Sequence, residues 1–280
     1  EHDGLTIAGL DWGGVGPPLL VLHPNGFCAG FFHPLARRLT DTYRPIGVDL
    51  RAHGGSDEPP DPAGYAFRTL ATDVLAVLDH LGIDEVLLVG QSLGGGVGIV
   101  IDELAPGRIR RALLCEAIAF GPELMAEQQR TADGPGDGGN DMSRIARSRQ
   151  AVWPSREEVR ISYGSRPPLD ALEPEALDAY IRWGFVDRPD GQVELACRPE
   201  AEATVFESAG TPEGAPSAWA HLPDLRARAT IACGLDSSLP VPWFGAQAER
   251  ADAHYVELPG GHFFLEQDTV AAERLVREWL

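Results

Sequence analysis

The chain has 280 residues, 44% of them hydrophobic, and a formal net charge of -19 at pH 7. That apolar content supports a sizeable core, in one large domain or in a domain carrying an inserted lobe, and it excludes disorder of the whole chain. The acidic excess repels phosphate backbones and anionic headgroups, which argues against nucleic-acid and membrane partners. No apolar stretch reaches the roughly 20 residues of a membrane helix, and no charged region followed by an apolar signal segment opens the chain, so a soluble, cytoplasmic protein is expected. The first residue is Glu1 and not Met, which leaves room for trimming or for a removed signal peptide.

In chain order, Leu5 to Trp12 alternates weakly and reads as an edge strand, and Pro18 to His23 is a continuous apolar run, the pattern of a strand buried on both faces. Tyr43 to Asp49 reads as a strand. A helix over Phe67 to Leu81 follows, with Leu70, Val74, Val77, Leu78 and Leu81 at helical spacing and Gly82 as its stop. The strand Glu85 to Val89 leads into a helix over Gly95 to Leu104, and Arg110 to Cys115 is another buried strand. Such alternation implies a mostly parallel central sheet flanked by helices.

From about Ile118 to Ala220 the alternation stops. Short amphipathic pieces and many prolines replace it, and the stretch from Asp133 to Asp141 has so little to bury that a mobile loop is expected. Alternation resumes with a strand at Ala229 to Cys233, a helix at Val241 to Arg250, a strand at His254 to Leu258 and a terminal helix at Thr269 to Leu280. The expected organisation is therefore a core of residues 1–117 and 220–280, interrupted by a helical cap at 118–219. No internal repeat is evident. Cys28, Cys115, Cys197 and Cys233 are far apart, with no Cys-x-x-Cys pair and no histidine cluster at zinc-ligand spacing, so they read as reduced, mostly buried thiols and no metal is implied.

The most informative local feature is Gly90-Gln91-Ser92-Leu93-Gly94, set between the apolar run Val86 to Val89 and a helix. Glycines two before and two after the serine let strand and helix approach closely, so the hydroxyl projects from a sharp turn, as a nucleophile elbow requires. A serine hydroxyl is a weak nucleophile at neutral pH. It needs a base, and a group that fixes the base's tautomer. Of the eight histidines, His262 lies after the last strand in Gly260-Gly261-His262-Phe263, followed by apolar residues suited to excluding water. It is the leading base. No dinucleotide-type glycine motif follows a strand and no Walker-type loop is present, so no nucleotide cofactor is expected.

The order of these features, with His23-Pro24-Asn25-Gly26, with Asp49 to Asp57, with the Ser92 elbow and with the late His262, resembles an alpha/beta-hydrolase carrying a cap, over almost the full length. The resemblance implies a cofactor-independent serine hydrolase acting on a small-molecule carboxylic ester or lactone through an acyl-enzyme. Carbon-carbon hydrolysis, thioester hydrolysis and perhydrolysis reuse the same site, and a ligand-binding protein on this scaffold is the rival from another class. Serine at the elbow, where aspartate would be needed, argues against the alkyl-enzyme route of dehalogenases and epoxide hydrolases. Two carboxylates compete for the third triad place. Asp236 follows the strand after the cap, the commoner location, although the loop is one residue short and puts Ser237 in the expected slot. Glu116 ends the strand before the cap, where lactonases of the zearalenone-hydrolysing type, which this chain resembles in its Arg-Ile-Arg run, place a glutamate.

By the same resemblance, His23 and His53 brace the site without reacting, and the backbone amides of Asn25 and Leu93 form the oxyanion hole, Leu93 at a helix start whose polarity favours negative charge. Trp153, Tyr163, Tyr180, Trp183, Phe185 and Phe206 either line an apolar pocket or hold the cap together. The second role is the commoner.

Overall fold

The computed structural model describes residues 1–121, 123–124 and 141–280. Its strands are β1 (Gly9–Asp11), β2 (Pro18–Leu22), β3 (Arg44–Val48), β4 (Val86–Gln91), β5 (Ile109–Cys115), β6 (Val152–Trp153), β7 (Phe185–Asp187), β8 (Val193–Leu195), β9 (Arg228–Gly234) and β10 (His254–Leu258). Seven of them form one sheet in the order β1-β3-β2-β4-β5-β9-β10, parallel throughout except for the antiparallel edge strand β1. Every residue of β4 is buried, because both faces of the sheet are covered. Leu88 packs into one core layer, and Leu87 and Val89 into the layer on the other face.

The helices are α1 (His33–Leu39), α2 (Phe67–His80), α3 (Leu93–Leu104), α4 (Asp141–Arg147), α5 (Arg156–Tyr163), α6 (Pro174–Trp183), α7 (Pro199–Ala209), α8 (Ala215–His221), α9 (Val241–Ala251), α10 (Phe264–Gln267) and α11 (Thr269–Trp279). One core layer joins α2, α3 and α9, and the other joins α1 and α11. In α2 the buried residues Leu70, Val74 and Leu78 recur at i, i+4. The helix stops as the sequence indicates. Gly82 takes φ +67°, its N–H donates to Asp79 O at 3.0 Å, and the Ile83 N–H donates to Leu78 O at 2.9 Å, which closes the last turn.

Three differences from the expectations have local causes. Helix α1 has only Leu35 and Leu39 in helical register within seven residues, too short a span for periodicity to register. Helix α3 begins at Leu93, directly after the serine, two residues earlier than expected. The excursion between β5 and β9 is not purely helical, since β6, β8 and β7 pair as a small antiparallel sheet. Strands of two or three residues are too short to show a period of two. The Gly-rich stretch expected to form a mobile loop lies, up to Asp141, outside the described residues. All four cysteines are free and buried. Among the described residues no helix is long and apolar enough to cross a membrane.

Candidate active site

Ser92 stands between β4 and α3 with φ 54° and ψ -119°, a conformation that L-residues rarely hold without support. Its neighbours supply that support. The Ser92 N–H donates to Cys115 O at 2.9 Å, and Ser92 O accepts from Ile118 N at 3.0 Å, so the turn is tied to the end of β5. The two flanking glycines are required by space. A Cβ on Gly90 would lie 2.8 Å from Gly94 O, and one on Gly94 only 2.2 Å from Leu22 O.

His262 follows β10 in a turn, and its Nδ1 lies 2.5 Å from Glu116 Oε2. With a carboxylate at Nδ1, that nitrogen carries the proton and Nε2 is left as an acceptor. Glu116 is fully buried and takes φ 48°, which aims its side chain from the end of β5 across β9. Burial of a carboxylate is costly without donors, and here the donors are present. The Gly234 N–H donates to Oε1 at 2.8 Å, and the Ser237 hydroxyl donates to Oε2 at 2.7 Å, beside His262. Of the two competing carboxylates, then, Glu116 meets the histidine and Asp236 does not. Asp236 is exposed, and among the described residues its carboxylate has no hydrogen-bond or ionic partner. The cause is the short loop after β9, which turns Ser237 inward instead. The serine's hydroxyl meets the Glu116 carboxylate on the same oxygen that His262 Nδ1 faces.

The Asn25 and Leu93 backbone N–H groups have no protein acceptor among the described residues. Unpaired amides at buried positions are uncommon, and two such donors on the residues around Ser92 could hold an anionic oxygen. The loop bearing Asn25 is braced from beneath. His23 Nδ1 donates to Pro24 O at 2.8 Å and its Nε2 accepts from Leu50 N at 3.0 Å. His53 Nδ1 donates to Arg51 O at 2.8 Å and its Nε2 accepts from Gly26 N at 3.0 Å. Burial pushes His23 down to about 4 and His53 down to about 3, so both rings are neutral at pH 7 and serve as fixed hydrogen-bonding struts.

Sequence reasoning passed over one buried pair. Gln91 Nε2 donates to His262 O at 3.0 Å and to Glu266 Oε2 at 3.1 Å, joining the residue before the serine to the histidine turn. Burial pushes the Glu266 carboxyl up to about 8. Its only early signal is a glutamate one helical turn after His262, within an apolar segment.

Ser92, His262 and Asn25 line a cavity of about 900 Å³ between the sheet and the excursion. Trp153, Tyr163, Tyr180 and Phe185 pack with Phe27, Phe31 and Phe263 into one cluster that joins the excursion to the loop after β2. Trp153, Tyr163 and Phe206 also reach the cavity wall, whereas Trp183 packs away from it, against His33 with ring centroids 4.6 Å apart. Among the described residues no group of three His, Cys, Asp or Glu side chains is placed to hold a metal ion.

A doubly covered, mostly parallel sheet with a serine turn after β4, a histidine on the loop after its last strand and a cavity beside the residues inserted between β5 and β9 defines an alpha/beta architecture with an insertion. The comparison with known proteins gives the family: residues 17–193 match the model of the alpha/beta hydrolase fold, and the chain belongs to that family. It is 33% identical over 117 residues to epoxide hydrolase 2 of Siraitia grosvenorii, covering 39% of this chain and 36% of that protein. It is 33% identical over 138 residues to a non-heme chloroperoxidase of Kitasatospora aureofaciens, covering 49% of this chain and 48% of that protein. The matched stretches thus span about a third to a half of those relatives. The crystal structure of E-2-(acetamidomethylene)succinate hydrolase has the same fold, with a TM-score of 0.82 at 20% identity over 99% of this chain and 96% of that one.

Proposed function

We propose that the protein is a cofactor-independent serine hydrolase that cleaves a carboxylic ester or a lactone. The observation that carries this reading is the buried Glu116 carboxylate at His262 Nδ1, which leaves Nε2 free in the cavity that Ser92 lines. In the proposed reaction His262 Nε2 takes the Ser92 proton as the oxygen attacks the carbonyl carbon. The amides of Leu93 and Asn25 hold the tetrahedral oxyanion, each worth on the order of 3 kcal/mol of transition-state stabilisation. Protonated His262 gives its proton to the departing alkoxide. Water, deprotonated by the same histidine, then releases the acid and restores Ser92. Glu116 keeps the proton on Nδ1 throughout and stabilises the imidazolium.

The relatives named epoxide hydrolase are similar in sequence, but a serine that opened an epoxide would be left as an alkyl ether, without the carbonyl at which water releases the ester formed by an aspartate nucleophile. The test is turnover of 4-nitrophenyl esters and of a lactone series, together with fluorophosphonate labelling. Ser92→Ala should abolish both turnover and labelling, Glu116→Gln should lower kcat by roughly 10³–10⁴ through loss of the correct tautomer, and Asp236→Asn should leave kcat within about twofold. Turnover that survives Ser92→Ala would end this reading, and a folded wild-type protein with neither turnover nor labelling would favour a binding protein on the same scaffold.

A further inference from the structure

The cavity wall beside the Asn25-Gly26 loop carries a polar cluster that the proposed chemistry does not use. Arg149 Nη1 is hydrogen-bonded to Glu202 Oε2, and Nη2 donates to the hydroxyls of Tyr163 at 3.1 Å and Tyr180 at 2.9 Å. The Tyr180 hydroxyl in turn donates to Gly26 O at 2.9 Å, and Asn25 Nδ2 donates to the main-chain oxygen of Glu202 at 2.9 Å. The ion pair rests directly on the loop. A Cβ on Gly26 would lie 2.7 Å from the Glu202 carboxyl and 3.1 Å from Arg149 Nη1. Arg149 and Glu202 both line the cavity.

This pairing decides what charge the cavity accepts. The single positive charge of Arg149 is cancelled by Glu202 within the wall. The other guanidinium on the lining, Arg166, is exposed at the rim and donates to Ser162 O at 3.0 Å and to the Ser162 hydroxyl, so its charge is solvated and screened. His262 is engaged by Glu116. The chain contains no lysine. Among the described residues the inner wall therefore offers no cation without a carboxylate partner, while Phe27, Phe120, Trp153, Trp243 and Phe263 supply apolar surface. An anionic substrate would give up its water, find no unpaired counter-charge on the described inner wall and face the Glu202 carboxylate. Burial of a charge on those terms is strongly disfavoured. A volume of about 900 Å³ lies toward the large end of small-molecule sites and exceeds what a short acyl chain fills.

We infer that the substrate is an uncharged, bulky, apolar ester or lactone, and that Glu202 is the specificity-determining residue that enforces this by cancelling Arg149 on the cavity wall. The inference rests on the serine-hydrolase reading for its reactive group and on the cavity alone for its charge selection. Glu202→Gln replaces the carboxylate by a neutral amide of the same shape and leaves Arg149 unpaired, which opens the wall to a carboxylate-bearing acyl chain.

Two esters of equal acyl length test it: 4-nitrophenyl hexanoate, and the 4-nitrophenyl monoester of adipate, which ends in a carboxylate. Ser92→Ala binds without turnover, so tryptophan fluorescence titration of that variant reads the cavity directly. The hexanoate should bind at least about tenfold more tightly than the adipate monoester. In wild type the kcat/KM ratio should favour the hexanoate by about a hundredfold, and Glu202→Gln, with its fold checked by circular dichroism, should raise kcat/KM for the monoester at least about tenfold. If Glu202→Gln fails to fold, the Ser92→Ala titration still decides. Binding of the monoester within about threefold of the hexanoate would overturn the inference. Selective binding of the hexanoate with no wild-type turnover of either ester would uphold the charge selection and overturn the hydrolase reading instead.

Discussion

Glu266→Gln should abolish a pH dependence of stability that the wild-type protein owes to one buried carboxyl. Glu266 is 1% exposed, and burial pushes its carboxyl from the ordinary 4.5 up to about 8. Gln91 Nε2 already donates to Glu266 Oε2, yet Gln91 Oε1 and Glu266 Oε1 are both buried with no hydrogen-bond partner. A proton on Glu266 makes the side chain neutral and gives it a donor, which suits a buried site where two acceptor oxygens stand without partners. Ionisation would remove that donor and bury a charge near the Cys115 thiol. Because the folded protein holds this proton more tightly than the unfolded chain, the contribution is fully present below pH 4.5. It falls by about 1.4 kcal/mol per pH unit as pH rises toward 8, and is flat above.

The introduced amide keeps an oxygen that accepts from Gln91 Nε2, carries N–H donors and cannot ionise. Urea unfolding at pH 5, 6, 7 and 8 should show the two proteins within about 1 kcal/mol at pH 5. By pH 8 the variant should lead by on the order of 4 kcal/mol. Every other ionisable group is common to both proteins, so its contribution cancels in the difference. Parallel stability curves from pH 5 to pH 8 would refute the reasoning, because they would mean that Glu266 does not change protonation in the folded state.

Ser237→Ala removes a hydroxyl that donates to Glu116 Oε2 at 2.7 Å. Loss of one hydrogen bond to a charged group, about 1.5–3 kcal/mol, should lower kcat by roughly tenfold with KM unchanged, and Ser237→Thr should restore most of it. A KM effect alone would assign Ser237 to substrate binding. Ser92→Gly should abolish turnover but stabilise the fold. The backbone at φ 54°, ψ -119° mirrors an extended conformation that glycine adopts freely, and relief of about 1–3 kcal/mol of strain outweighs the 0.5–1 kcal/mol entropic cost of glycine. A lower midpoint for Ser92→Gly in urea would show that the turn is not strained.

The central strands were legible because each is a continuous apolar run enclosed on both faces, as in Leu19 to Leu22 and Val86 to Val89, and α2 because its buried positions repeat over four turns. Where an element is shorter than its own period the signal fails, which is why α1 and the strands β6, β7 and β8 were not seen. In the candidate site, the Ser92 turn and the place of His262 after the last strand were readable from local order along the chain, whereas Asn25 came from the resemblance. The choice between Glu116 and Asp236 was not, since it depends on whether a side chain crosses from β5 over β9. The roles of Ser237, Glu266 and Arg149 were not readable either. Each acts through partners distant in sequence, as when Ser237 reaches Glu116.

The placement of the proposed acid follows from strand adjacency. β5 and β9 are hydrogen-bonded neighbours with Cys115 opposite Ala232, so residues just past their ends converge on one point beside the histidine turn. Glu116 donates its N–H to Ala232 O at 2.9 Å and receives the Gly234 N–H on its carboxylate, which pins it over the end of β9. The histidine turn is pinned to the same place. Asp236 N donates to Gly260 O at 2.9 Å, and a Cβ on Gly234 would lie 2.3 Å from that oxygen. A carboxylate from either strand end can therefore meet His262 Nδ1, but not both, because two buried carboxylates at one ring nitrogen would repel each other. With Glu116 supplying the charge from β5, the loop after β9 needs a neutral donor at that point. Ser237 is such a donor, and its position at the usual acid slot is what the arrangement requires.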